Sequence, residues 1–127
     1  MRIYKTAQGR SSMFLAIKAL ADSNKKFIFT QAFTCAAVPE SIIYAGFQPF
    51  WLDIELETFS IDIRSFRDAI KKYSDQFGAI FIQHTFGIMP KYYNELKDLA
   101  NAKNIPIIED RCHCNFLENY CFLKSNK

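Results

Sequence analysis

The sequence predicts an α/β fold: three layers, with helices covering both faces of a mainly parallel sheet. Two observations carry this. Short apolar runs of strand length alternate with segments of helical period along the chain. The strand-like runs, such as Ala79-Ile80-Phe81-Ile82, are apolar at consecutive positions, so both of their faces need cover.

The elements follow in order. Gly9-Arg10-Ser11-Ser12 opens a helix with Met13, Ile17 and Leu20 at i, i+4 and i+7, and Ser11 or Ser12 is expected to cap its first amides. Phe27-Ile28-Phe29 reads as a short buried strand. A second helix is expected from Thr34 to Ala45, with Pro39 in its first turn and Gly46 as its stop. Pro49 to Asp53 is the next strand. Asp62 then caps a third helix that turns Phe66, Ile70 and Tyr73 inward. After the strand Ala79–Ile82, Pro90 is placed to start a fourth helix, with Leu96, Leu99 and Ala100 inward. Ile105 to Ile108 is the last clear strand. Asn115 to Lys127 holds apolar residues with no clear period.

Composition narrows the class. At 127 residues the chain is one domain by length, and half of it is hydrophobic, with 13 Phe. That argues against disorder. The net charge of +3 comes from scattered Lys and Arg, with doublets only at Lys25-Lys26 and Lys71-Lys72, so no nucleic-acid patch is expected. No apolar run approaches a membrane span, and Met1-Arg2-Ile3-Tyr4-Lys5 does not open a signal peptide. With Cys at 35, 112, 114 and 121, the expectation is a reduced cytoplasmic protein without a disulfide framework.

Chemistry concentrates where the last strand ends, at Glu109-Asp110-Arg111-Cys112-His113-Cys114. In open α/β sheets ligands bind at the C-terminal ends of the strands. A carboxylate there, Asp110, can hold a cationic ring nitrogen, or it can cap the next turn. Gly9 to Ser12 can offer helix-start amides to a phosphate, or form an ordinary cap. The segment is not a Walker loop, and no Gly-x-Gly-x-x-Gly occurs. Cys35, His84, Cys112, His113 and Cys114 all fall at expected strand ends. Consecutive Cys-His-Cys aims its ligands poorly and no Cys-x-x-Cys exists, so no metal site is expected. A cysteine nucleophile paired with either histidine is disfavoured against hydrogen-bonded structural histidines.

Taken together, GRSSMFLAIKAL, FTCAAVPESIIYAGFQPFWLDIELETFSID, AIFIQHTFG and IPIIEDRCHC resemble the DegT/DnrJ/EryC1/StrS sugar aminotransferases, a branch of the aspartate aminotransferase-like pyridoxal phosphate enzymes. The resemblance runs in order from about Gly9 to His113. It implies that the chain is part of the large cofactor-binding domain, family-like over 9–114, with a divergent tail over 115–127. It also implies pyridoxal 5'-phosphate as cofactor. Arg10 and Ser11 fall where the phosphate is held, and Cys35 where a residue lies over the pyridine ring. Asp110 falls on the partner of the pyridine nitrogen and His113 beside the ring. The implied reaction is amino transfer from an amino acid such as glutamate to a nucleotide-linked keto-sugar, a step of nucleotide-sugar and polysaccharide biosynthesis.

The chain departs from the family pattern in two ways. Arg111, Cys112 and Cys114 stand where relatives carry small residues. Relatives also continue to a Ser-Phe-x-x-x-Lys-like segment whose lysine forms the Schiff base, and nothing in 115–127 resembles it; Lys124 and Lys127 stand too close to Asp110. No catalytic residue is therefore assigned, and the chain alone is expected to be inactive. The alternatives are a non-catalytic α/β binding or interaction module, or one part of a split enzyme completed by another chain. An open sheet edge and uncovered apolar faces would favour a homo-oligomer or a partner chain.

Overall fold

A computed structural model describes residues 3–114. The described elements run α1 (Gly9–Leu20), β1 (Phe27–Gln31), α2 (Ala37–Tyr44), β2 (Gln48–Leu52), α3 (Ile63–Tyr73), β3 (Phe77–Gln83), α4 (Tyr93–Ala102) and β4 (Ile107–Asp110). The four strands form one sheet in the order β2-β1-β3-β4, and every pairing is parallel. The α/β reading of the sequence holds. The expectation for the tail 115–127 lies outside the described residues.

The strand period of two sorts the core. On one face Ile28, Ala79, Phe81 and Ile108 pack with Met13, Ile17, Val38 and Ile42 from α1 and α2. On the other, Phe29, Ile80 and Ile82 pack with Phe66 and Ile70 of α3 and with Leu96 and Ala100 of α4. Every residue of β3 is buried, as a central strand covered on both faces requires. Removing a side chain such as Phe66 or Leu96 from water contributes about 1.5–3 kcal/mol.

Several boundaries differ from the sequence reading. α1 starts at Gly9, so Ser11 and Ser12 lie inside its first turn and donate their own amides to the Gln8 carbonyl. Neither caps the helix, and the Ser12 hydroxyl meets Thr6 instead. α2 begins at Ala37 rather than Thr34, because Thr34 to Ala36 form the turn that leads off β1. Pro39 does sit in the first turn of α2, and Gly46, at φ 93°, takes the left-handed conformation that stops it. Pro90 does not open α4; its carbonyl accepts the Tyr93 amide in a preceding turn. β4 is shifted two residues onward: its ladder with β3 begins at Ile107, while the Pro106 carbonyl accepts the Ile80 amide. Asp62 caps α3 as expected, taking the Arg64 amide at 2.7 Å.

Candidate functional site

From β1 the sheet grows outward to β2 in one direction and to β3 and β4 in the other. The switch point lies between the C-terminal ends of β1 and β3, where a crevice opens in this class of sheet. Both strands end there in a glutamine, Gln31 after Phe27-Ile28-Phe29-Thr30 and Gln83 directly after an apolar run.

On the α1 face, Gln83 and Asp110 are paired across the β3–β4 ladder. The Gln83 amide nitrogen donates to Asp110 Oδ2 at 3.0 Å. The Cys112 backbone amide donates to Asp110 Oδ1 at 3.0 Å, so the carboxylate also caps the turn that follows the strand. Asp110 is 5% exposed. Gln83 Oε1 is buried and has no partner.

The following loop folds back on the end of β3. His113 Nδ1 accepts the Phe86 amide at 3.1 Å, and the two rings lie nearly parallel with centroids 6.1 Å apart. Gly87 makes this approach possible. Its φ is 78°, and a Cβ there would meet the His113 carbonyl oxygen at 2.7 Å. The start of α1 reaches the same loop: a Cβ on Gly9 would lie 3.8 Å from Cys112 Sγ. With the Ser11 and Ser12 amides donated to the Gln8 carbonyl, helix geometry leaves those of Gly9 and Arg10 without a carbonyl in the helix.

The sequence-predicted residues divide between two places. Asp110 ends β4 and His113 lies in the loop that follows, with Gly9 beside Cys112 of that loop. The Arg10 guanidinium turns toward α2 and pairs with Glu40 at 3.2 Å, while the Arg10 carbonyl accepts Ser41 Oγ at 3.2 Å. Arg10 and Ser11 line a groove between α1 and α2 with Phe14, Leu15, Ser41 and Tyr44. Cys35 lies in the β1–α2 turn, on the same edge of the sheet as Asp110, and is exposed. Among the described residues no group of His, Cys, Asp and Glu is arranged to hold a metal ion.

Gln31 escaped the sequence reading. Its amide nitrogen lies within hydrogen-bonding distance of the Phe33 carbonyl (2.7 Å), the Phe59 carbonyl (2.9 Å) and Thr85 Oγ1 (2.8 Å). One buried side chain thus fastens the loops after β1, β2 and β3. Around it Phe33, Phe59 and Phe86 form an aromatic cluster with centroids 5.5–6.2 Å apart. Phe59 and Phe86 have φ of 57° and 55°, a conformation that bulky residues rarely adopt. The available signal for Gln31 and Gln83 was a polar residue ending a buried strand at the ligand edge.

One residue before Asp110 and one after Gln83, the chain faces α4. Glu109 Oε1 accepts the Tyr93 hydroxyl at 2.6 Å, and its Oε2 lies 3.5 Å from both His84 Nε2 and Arg111 Nε. Burial pushes Glu109 up, but the neighbouring His84, the bond from Tyr93 and the charge of Arg111 outweigh it and hold the carboxyl below its usual value. Tyr93 is pushed up to about 12 by burial and then by its bond to the Glu109 carboxylate. Of the two histidines, His113 accepts the Phe86 amide, whereas His84 Nε2 is buried beside Glu109 without a hydrogen bond.

Asp110 is thus a buried carboxylate at the C-terminal edge of the sheet, one strand away from the switch point. A profile of the DegT/DnrJ/EryC1/StrS aminotransferase family matches residues 4–117. The chain belongs to that family. One relative is the UDP-4-amino-4,6-dideoxy-N-acetyl-beta-L-altrosamine transaminase of Campylobacter jejuni, 31% identical over 103 residues, covering 81% of this chain and 27% of the relative. The crystal structure of DesV from S. venezuelae, in complex with a ketimine intermediate, superposes with a TM-score of 0.74 at 19% identity, over 84% of this chain and 28% of that one. NtdA from Bacillus subtilis, with the cofactor PMP bound, superposes with a TM-score of 0.72 at 23% identity, over 84% of this chain and 23% of that one. These structures show the shared fold. The chain spans about a quarter of the length of the curated relatives it matches. Among its described residues no helix is long and apolar enough to cross a membrane.

Proposed function

We propose that these residues form the part of a pyridoxal 5'-phosphate-dependent sugar aminotransferase that holds the cofactor's ring nitrogen and phosphate. The observation that carries the reading is Asp110: a buried carboxylate, braced through both oxygens, at the C-terminal edge of a parallel sheet in this family. Its remaining lone pairs suit a pyridinium N–H. His113, fixed by Phe86, lies beside the ring, and Cys35 lies over it. The phosphate is met by the α1 start, through the amides of Gly9 and Arg10 and the Ser11 side chain, since the Ser11 and Ser12 amides are taken by the Gln8 carbonyl. With Arg10 paired to Glu40, the backbone supplies most of that contact.

The cofactor when bound supplies an electron sink. The chain's own residues bind it, keep its nitrogen protonated and exclude water from Asp110. The proton-moving lysine comes from other residues, on a longer chain or a partner subunit, because nothing in these 127 residues matches its segment. The 127-residue chain by itself then performs no amino transfer from glutamate to a nucleotide-linked keto-sugar, and it functions assembled with that further sequence. A binding module without catalysis would share the ring site, and the two readings part on whether adding a lysine-bearing segment produces turnover.

The test is calorimetric titration of the chain with pyridoxamine 5'-phosphate. Saturable binding that Asp110→Asn weakens at least tenfold supports the reading. Binding that is indifferent to Asp110 overturns it. Turnover by the 127 residues alone would overturn the assignment of the lysine elsewhere.

A further inference from the structure

Several buried polar atoms lack a hydrogen-bond partner among the described residues, Gln31 Oε1 and His84 Nε2 among them, and Gln83 is the one whose other end is fixed on Asp110. It is 7% exposed, its Nε2 is fixed on Asp110, and its Oε1 meets nothing. An amide turned the other way would set oxygen against carboxylate, so the charge of Asp110 decides which end faces it. A buried acceptor without a donor is costly to the fold. Such an atom at a binding edge is an acceptor awaiting a ligand donor.

Its surroundings are those of a ligand site. Gln83 is the last residue of β3, at the switch point, with Asp110 opposite it on β4. Continuing the β1–β3 register by three residues places Ala32 level with Gln83 on the other side. Ala32 is small and exposed, so no bulky side chain from β1 stands level with Gln83.

We propose that Gln83 is a second contact for the ligand held by Asp110: its Nε2 steadies the carboxylate while its Oε1 accepts a hydrogen bond from the ligand's ring N–H. The ligand class is a cationic N–H heteroaromatic ring, gripped by a carboxylate and a neutral amide together. This rests on the ring-nitrogen role given to Asp110 above. The pairing favours the protonated ring over a neutral one, since only the protonated ring offers the donor that both oxygens accept.

The experiment compares pyridoxamine 5'-phosphate with its 1-deaza analogue, in which CH replaces the ring nitrogen, on the full chain. Wild type should bind the nitrogen-bearing ring at least tenfold more tightly. Gln83→Met should lose about tenfold in affinity for it and nothing for the analogue. In isotope-labelled wild type, the Gln83 side-chain carbonyl carbon should shift with the first ligand and stay put with the second, a readout that needs no variant to fold. Equal losses for both ligands, or a carbonyl signal that neither ligand moves, would overturn the proposal. If wild type fails to discriminate between the ligands, the role of Asp110 falls and this proposal with it. If wild type discriminates and Gln83→Met discriminates as strongly, only the proposal falls.

Discussion

The two faces of the β3–β4 strand ends carry similar residue types and use them differently. On the α1 face Gln83 and Asp110 form a sparse pair with an acceptor left over. On the α4 face Glu109 is surrounded by His84, Tyr93 and Arg111, with a hydrogen bond from Tyr93 and the other two 3.5 Å away. A step of one residue along each strand separates the two, because successive side chains point to opposite faces. Adjacent carboxylates thus divide the work. Glu109 spends its oxygens on holding α4 and the outgoing loop to the sheet, and Asp110 keeps bonding capacity for something that arrives.

Crossed substitutions give the largest expected effects. Glu109→Leu should destabilise the fold by about 2–3 kcal/mol in urea unfolding, since it strips a charged acceptor from a half-buried network. Asp110→Asn keeps its shape and an oxygen for Cys112, so stability should change by about 1 kcal/mol or less. The same variant should lower affinity for pyridoxamine 5'-phosphate ten- to hundredfold. If the two variants exchanged these phenotypes, the division between faces would be wrong.

Titration sharpens the comparison. Tyr93 has a native value near 12 against an ordinary 10, so the proton is held more tightly in the folded chain. That contribution is complete below pH 10 and fades as pH rises from 10 through 12. Tyr93→Phe should flatten this alkaline loss and cost about 1 kcal/mol at neutral pH. Glu109, with a lowered native value, works in the opposite sense: its contribution is present above 4.5 and is lost on acidification. Glu109→Gln should remove that share of acid sensitivity, and thermal melts from pH 7 to 3 read it directly.

The smallest effect lies away from both faces. The bond from Arg64 holds Asp62 at about 2 against burial. Its stabilisation is present above pH 4 and is lost as pH falls toward 2. Because Arg64 is solvent-exposed, the pair itself contributes little, and Asp62→Ala should cost about 1 kcal/mol, mainly as a lost helix cap.

The sequence made the layers legible because burial on two faces leaves long apolar runs and an amphipathic period in between. β3 was readable to within its ends. Caps and starts were less so. Pro90 suits a first helical position and also a preceding turn, and tertiary packing chose the turn. Ser11 and Ser12 look like caps, but the chain path from Thr6 let the helix begin earlier. Asp110 was legible from its place at a strand end. Gln83 and Gln31 were not, because a glutamine after an apolar run reads equally well as the first residue of a loop. Only the cross-strand register shows what each amide meets.

The Gln31 clamp has a dynamic consequence. The loops after β1, β2 and β3 hang on one amide group, so they cannot loosen independently. A rotamer flip of that single side chain would release Phe33, Phe59 and Thr85 together, and the strained backbone at Phe59 and Phe86 would relax in the same event. Motion at this rim should therefore occur as one opening rather than three. In hydrogen exchange the amides of the three loops should share a common protection level, and Gln31→Ala should lower all of it at once.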